Sequence, residues 1–160
     1  MNILVLCTGN SARSILLESL LNRLGEGRVR AWSAGSHPAG RVHPEALSLL
    51  AAKGYPTDAL RSKSWDEFAA ADAPEMHAVI TVCGNAAGET CPIWPGTPLR
   101  GHWGVADPAA APPQGQPDAF ATAYAQLKTR AEAFLAEPIE DMARDDLSTL
   151  LNRIGTLLTS

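Results

Sequence analysis

Residues Asn2 to Cys7 form a continuous apolar run that stops abruptly at Thr8-Gly9-Asn10-Ser11, and Leu16, Leu17, Leu20, Leu21 and Leu24 follow at helical spacing. A short run apolar at successive positions reads as a strand buried on both faces, and the leucine stripe reads as an amphipathic helix stopped by Gly25. Burial on both faces needs cover on both sides, which a parallel sheet with crossover helices supplies. The opening therefore commits the chain to an α/β fold with a tight loop between its first strand and its first helix.

The remainder keeps that alternation. Arg28 to Ser33 predicts a second strand, Pro44 to Lys53 a helix with Leu47, Leu50 and Ala51 on one side, and His77 to Val82 a third strand. Ser64-Trp65-Asp66-Glu67 has the form of a capping box opening a short helix before Pro74, and a weaker strand is expected near Leu99 to Trp103. Residues 106–117 read as a long loop. Phe120, Tyr124, Leu127, Ala131 and Phe134 mark a long helix beginning near Asp118. A final helix carries Leu147, Leu150, Leu151, Ile154, Leu157 and Leu158, with Asp145 and Asp146 at its positive end. Strands alternating with helices predict a small four-stranded parallel sheet with helices on both faces and a C-terminal helical extension. Ligands of such sheets bind beyond the carboxyl ends of the strands, where Cys7 and Cys83 both fall.

Composition narrows the function. With 160 residues, 46% of them hydrophobic, the chain has one domain's length and core. A formal charge of −4 argues against a nucleic-acid or anionic-membrane surface, and no apolar run approaches the ~20 residues that cross a bilayer. Any anion must be held by a local device. Three cysteines, and no basic-then-apolar leader before the first strand, predict a reduced, cytoplasmic setting without a disulfide framework.

The local device is Cys7-Thr8-Gly9-Asn10-Ser11-Ala12-Arg13-Ser14. At a helix N-terminus, free N–H groups and the dipole favour a tetrahedral oxyanion, and Gly9 is expected to let the backbone curl. Arg13 adds a planar, permanently charged fork. The same field is expected to depress the Cys7 pKa and arm a thiolate, with Ser14 able to donate to it. A strand-end cysteine can also be inert packing; the glycine and hydroxyls around this one favour an oxyanion-binding thiol. Cys83 ends a strand expected beside the first and could approach Cys7. Cys91 follows after a segment containing two glycines, Gly84 and Gly88. A disulfide relay among the three and a pair of inert thiols are both compatible with the spacing.

Cys-X5-Arg-Ser after the first strand, with Asp107-Pro108 in a late loop, resembles the low-molecular-weight protein tyrosine phosphatase family. Adding Val79-Ile-Thr-Val-Cys83, Cys91-Pro92-Ile93 and His102-Trp-Gly-Val-Ala-Asp-Pro108, the chain resembles the arsenate reductases built on that fold. The resemblance implies an enzyme in which Cys7 attacks arsenate, Arg13 and the backbone of residues 8–14 hold it, and Asp107 protonates the departing oxygen. It further implies that Cys83 and then Cys91 carry the resulting disulfide outward to thioredoxin, or to glutathione with glutaredoxin. Residues 1–137 would form this domain, and residues 138–160 would be a helical extension packed on it. No organic cofactor is implied, electrons come from an external thiol, and phosphate or sulfate should mimic arsenate. Ala109-Ala110-Ala111 stand where phosphatases place an aromatic, which favours a small inorganic oxyanion over phosphotyrosine. A phosphatase using Cys7, Arg13 and Asp107 is the alternative. The resemblance also implies a potassium ion at Asn10, Glu18 and Ser33, with Asp66 as a fourth donor. Glu18 equally fits a solvated stripe with Ser14 and Asn22.

Overall fold

β1 (Asn2–Leu6), β2 (Arg30–Ala34), β3 (Ala78–Thr81) and β4 (Leu99–His102) align in parallel in the order β2-β1-β3-β4. This computed structural model describes residues 1–83 and 98–157. The expected sheet is present, with β2 starting two residues later than the sequence suggested.

Pairing is continuous, with Leu6 opposite Ala34 on one side and Thr81 on the other, and Thr81 opposite His102. Ile3 to Leu6 and Ala78 to Ile80 are fully buried. Successive strand side chains point to opposite faces, so both faces of the central strands are covered. After β1 the chain moves outward to β2, and after β2 it crosses back to β3. The order therefore reverses between β1 and β3, opening a crevice at their carboxyl ends. Cys7 and Cys83 follow those two strands.

The helices are α1 (Arg13–Leu24), α2 (Pro44–Ala52), α3 (Gln116–Leu135) and α4 (Arg144–Gly155). Their buried residues are the apolar stripes read from the sequence: Leu16, Leu17, Leu20 and Leu21 on α1, and Phe120, Leu127, Ala131 and Phe134 on α3. Trp103, just past β4, is fully buried, meets Phe134 edge-on at 5.7 Å, and donates its Nε1–H to Leu151 O at 3.0 Å. Burying a side chain of this kind contributes roughly 1.5–3 kcal/mol. It also seats α4 on β4. Ser64 caps a 3-10 turn, Trp65–Phe68, by accepting from the Asp66 N–H rather than that of Glu67, so the expected capping box shortens to one bond. The 106–117 loop contains two such turns, Pro108–Ala110 and Pro113–Gly115.

Candidate active site

The loop between β1 and α1 is shaped by where its carbonyls go. Thr8 O accepts from His37 N–H, Gly9 O from Ala39 N–H and the Ser62 hydroxyl, and Ser11 O from His43 N–H. A trans peptide places its C=O and N–H on opposite sides, so the outward Thr8 carbonyl turns the Gly9 N–H inward, while the Asn10 N–H is taken by Cys7 O at 3.3 Å. The Gly9 N–H accordingly bonds Cys7. Ala12, the N-cap of α1, supplies no side-chain cap, so the first-turn N–H groups of the helix remain available to an anion.

Gly9 is not what permits this shape. It has no positive φ, and a Cβ built on it meets nothing within 4 Å. Asn10 takes the left-handed conformation instead, with φ 44°. Its fully buried side chain holds it there, Oδ1 accepting from Lys63 N–H at 2.9 Å and Nδ2 donating to Ser14 Oγ at 2.9 Å. The glycine required is Gly35, past the end of β2. A Cβ there would lie 2.4 Å from Thr8 O and 2.7 Å from Cys7 O.

Cys7 and Cys83 are both buried free thiols, and they are hydrogen-bonded to one another. Thr8 donates its N–H to the Cys83 sulfur at 3.4 Å. The Cys83 thiol, followed by burial, pushes the Cys7 pKa up, while Arg13 and the Gly9 N–H pull it down. The expected depression of Cys7 is thus overturned in this arrangement: the approach of Cys83 read from the strand order is present, and that thiol together with burial outweighs the helix terminus and Arg13. Cys91 lies outside the described residues.

Arg13 is mostly buried. Its Nη1 donates to Val105 O at 3.0 Å, its Nη2 stands 3.9 Å from Asp107 Oδ2, and its Nε is buried with no partner among the described residues. Asp107 is half exposed and caps the turn that follows, accepting from Ala109 N–H at 3.0 Å. The carboxyl group expected to act as proton donor therefore faces the guanidinium expected to hold the anion. A hollow of about 770 Å³ beside α1, lined by Asn22, Trp32, Tyr55 and Phe68 among others, does not include Cys7. The thiol lies in the cradle and not in that hollow.

The low molecular weight phosphotyrosine protein phosphatase profile matches residues 2–146. The chain belongs to this family. Among its curated relatives, an arsenate reductase of Halalkalibacterium halodurans is 35% identical over 106 residues, covering 66% of this chain and 73% of the relative. An arsenate reductase of Staphylococcus epidermidis is 30% identical over 128 residues, covering 78% and 94%. A solved arsenate reductase in a phosphate-binding state superposes with a TM-score of 0.67 at 29% identity, over 84% of this chain and 96% of that one. A tyrosine phosphatase of Erwinia amylovora shares the fold, with a TM-score of 0.61 at 24% identity over 82% and 88%.

The potassium site implied for such family members does not fit this chain. Asn10 has committed its amide, and Ser33 Oγ donates to Glu18 Oε1 at 3.1 Å. Asp66 is exposed on its turn and takes no part in the network. The positive charge is supplied by Lys63, whose Nζ lies 4.0 Å from Glu18 Oε1 and donates to Arg61 O. Burial raises the Glu18 pKa against the pull of Lys63, and burial lowers that of Lys63 against the pull of Glu18. Glu18 and Ser14 are buried, so a solvated stripe along α1 is also ruled out.

Sequence reasoning missed Lys63, which no spacing connects to Glu18. It also missed Arg130, a charge on the apolar stripe of α3 between Leu127 and Phe134, where the break in pattern was visible.

Proposed function

We propose that this chain reduces arsenate to arsenite, and the observation that carries the reading is the contact between the Cys7 and Cys83 sulfurs at the head of the anion cradle. A phosphatase needs one thiol; a second one hydrogen-bonded to it is needed only where a sulfur is to be attacked. The arsenate reductases among the relatives and the four ordered motifs support the same reading.

In this mechanism the inward N–H groups and Arg13, through Nη2 and through the Nε that has no partner among the described residues, hold the arsenate oxygens. The Cys7 sulfur attacks arsenic as its thiol proton passes to a bound arsenate oxygen. One oxygen leaves as water, protonated by Asp107, and a sulfur–arsenic bond remains. The Cys83 thiolate then attacks the Cys7 sulfur. The electron pair of the sulfur–arsenic bond passes to arsenic, which departs as arsenite, and a Cys7–Cys83 disulfide forms. Cys91 attacks Cys83, releasing Cys7, and the Cys83–Cys91 disulfide is reduced by thioredoxin, with glutathione and glutaredoxin as the alternative donors. Such a relay belongs in the reducing cytoplasm. No described helix is long and apolar enough to cross a membrane.

The test is arsenite formation by the purified chain with thioredoxin, thioredoxin reductase and NADPH. Loss of turnover in Cys83→Ser and in Cys91→Ser is expected, and full activity in either variant would remove the relay. A phosphatase reading draws on the Arg13–Asp107 geometry alone. It would be favoured by efficient aryl phosphate hydrolysis that persists in both serine variants.

A further inference from the structure

Arg130 is only 7% exposed and sits among Leu127, Ala131 and Phe134, all fully buried. A guanidinium in such surroundings ordinarily faces a carboxylate, because an uncompensated buried charge is costly. Here its Nη1 donates to Gly104 O at 2.8 Å, its Nη2 to Leu157 O at 3.4 Å, and its Nε is buried with no partner among the described residues. Burial lowers its pKa. The two carbonyls lie at separate places in the chain. Gly104 belongs to the segment between β4 and Asp107, and Leu157 follows α4.

That segment is fastened at successive residues. Trp103 N–H donates to Thr81 O at 2.7 Å and its indole to Leu151 O, Gly104 O is held by Arg130, Val105 N–H donates to Val82 O at 3.3 Å, and Val105 O is held by Arg13. Two arginines thus grip adjacent carbonyls two and three residues before Asp107, Arg13 from the anion loop and Arg130 from α3. The far end of α4 is pressed onto the same strand, since a Cβ at Gly155 would lie 2.1 Å from His102 O.

From these contacts we infer that Arg130 is a positioning residue for Asp107, fixing the approach to the proton donor through Gly104 and fastening it to the end of α4. The inference rests on the reading of Asp107 as proton donor. The C-terminal helix then serves catalysis as well as packing, because it supplies the second anchor of the same guanidinium. Small displacements of a reacting group cost large factors in rate, so losing this grip should slow proton delivery and leave oxyanion binding intact.

A double-mutant cycle separates this from a general structural role. The full-length chain, Asp107→Asn, Arg130→Met and the double variant are mixed with excess arsenate without reductant. The rate of free-thiol loss is followed over a single turnover, together with inhibition by inorganic phosphate. Asp107→Asn should slow the reaction at least about 100-fold, as loss of a general acid does. Arg130→Met should slow it by about tenfold and leave the phosphate inhibition constant within about twofold, since a positioning defect spares binding. The double variant should match Asp107→Asn. Multiplying losses, weakened phosphate binding in Arg130→Met, or a full rate in Arg130→Met would each overturn the inference. A full rate in Asp107→Asn would overturn the proton-donor reading beneath it. If Arg130→Met does not fold by circular dichroism, Arg130→Lys, which keeps the charge and can reach one carbonyl, is carried through the same cycle. If the wild-type chain loses no thiols to arsenate, the arsenate reading fails by itself, and the cycle is run on aryl phosphate hydrolysis with the same criteria.

Discussion

The backbone N–H of Thr8 points at the sulfur of Cys83 from 3.4 Å, so the first amide of the anion loop serves the second thiol and not the first. The consequence is a division of labour at the head of the crevice. Cys7 takes the Gly9 N–H and the field of Arg13, Cys83 takes Thr8, and the two sulfurs bond one another. Cys83 is thereby in place to attack before any adduct forms on Cys7.

Because Cys83 is the largest cause of the raised Cys7 pKa, removing it should lower that pKa. The sign follows from the thiol–thiol bond: without that partner, Arg13 and the Gly9 N–H act on Cys7 against burial alone. Cys83→Ala should therefore bring the ionisation of Cys7 to lower pH. The check is the pH dependence of Cys7 alkylation by iodoacetamide, with its midpoint moved to lower pH and faster reaction at pH 7 in the variant.

Loss of Arg13's fork should be severe in a different way. Arg13→Lys keeps the charge but loses the fork, so it can either hold Val105 O or meet the oxyanion. Phosphate inhibition should weaken by at least about tenfold, a loss of roughly 1.4 kcal/mol. Competitive inhibition of arsenate turnover by phosphate measures it.

The Glu18–Lys63 pair makes two predictions that share a cause. With the ammonium built in, arsenate turnover should be equal in potassium and sodium buffers of matched ionic strength. Lys63→Met leaves the Glu18 carboxylate buried without its cation, which costs roughly 3–5 kcal/mol. Its raised pKa fixes the pH trend: a buried carboxyl that ionises above its unfolded value favours folding at low pH and loses that advantage as pH rises through its folded pKa. The Lys63→Met deficit should therefore shrink as pH falls, and Glu18→Gln added to it should restore most of the stability at pH 7. Urea unfolding of the wild type and the two variants at two pH values decides this.

The features legible in the sequence were those written in adjacent residues. The Asn2–Cys7 run and the leucine stripe of α1 gave strand, loop and helix, because two-face burial and helical period are local signals. The site residues read there, Cys7, Arg13, Cys83 and Asp107, do meet, because the sheet order brings the ends of β1 and β3 together and Arg13 reaches across to the loop after β4. What escaped depended on long-range partners. Lys63 reaches Glu18 across 45 positions, and Arg130 reaches Gly104 across 26 and Leu157 across 27. The direction of the Cys7 shift escaped because it turns on the balance of Cys83, whose approach is itself legible from the strand order, against the helix terminus and Arg13.

Two glycines near the cradle offer the clearest contrast between a motif and a contact. Gly9 stands inside the signature, yet a Cβ there would meet nothing within 4 Å and its φ is not positive, so Gly9→Ala should fold with stability within about 1 kcal/mol of wild type. Gly35 stands outside the signature, where a Cβ would sit 2.4 Å from Thr8 O, 2.7 Å from Cys7 O and 3.0 Å from Asn10 N. All three are backbone atoms, so no side chain can swing aside to relieve the overlap. The loop itself must move. Overpacking of this kind costs typically about 1–3 kcal/mol, and here the displaced atoms form the cradle. Displacing Thr8 and Asn10 also disturbs the outward ties at Thr8 O and the Lys63–Asn10 bond, so the inward N–H groups should lose their common focus. Gly35→Ala should accordingly fall at least about 100-fold in arsenate turnover, the scale of a misplaced reacting geometry, with phosphate binding weakened alongside it. Measuring both variants by thermal unfolding and phosphate inhibition provides the check, and equal behaviour of the two would mean that the close approach at Gly35 does not shape the loop.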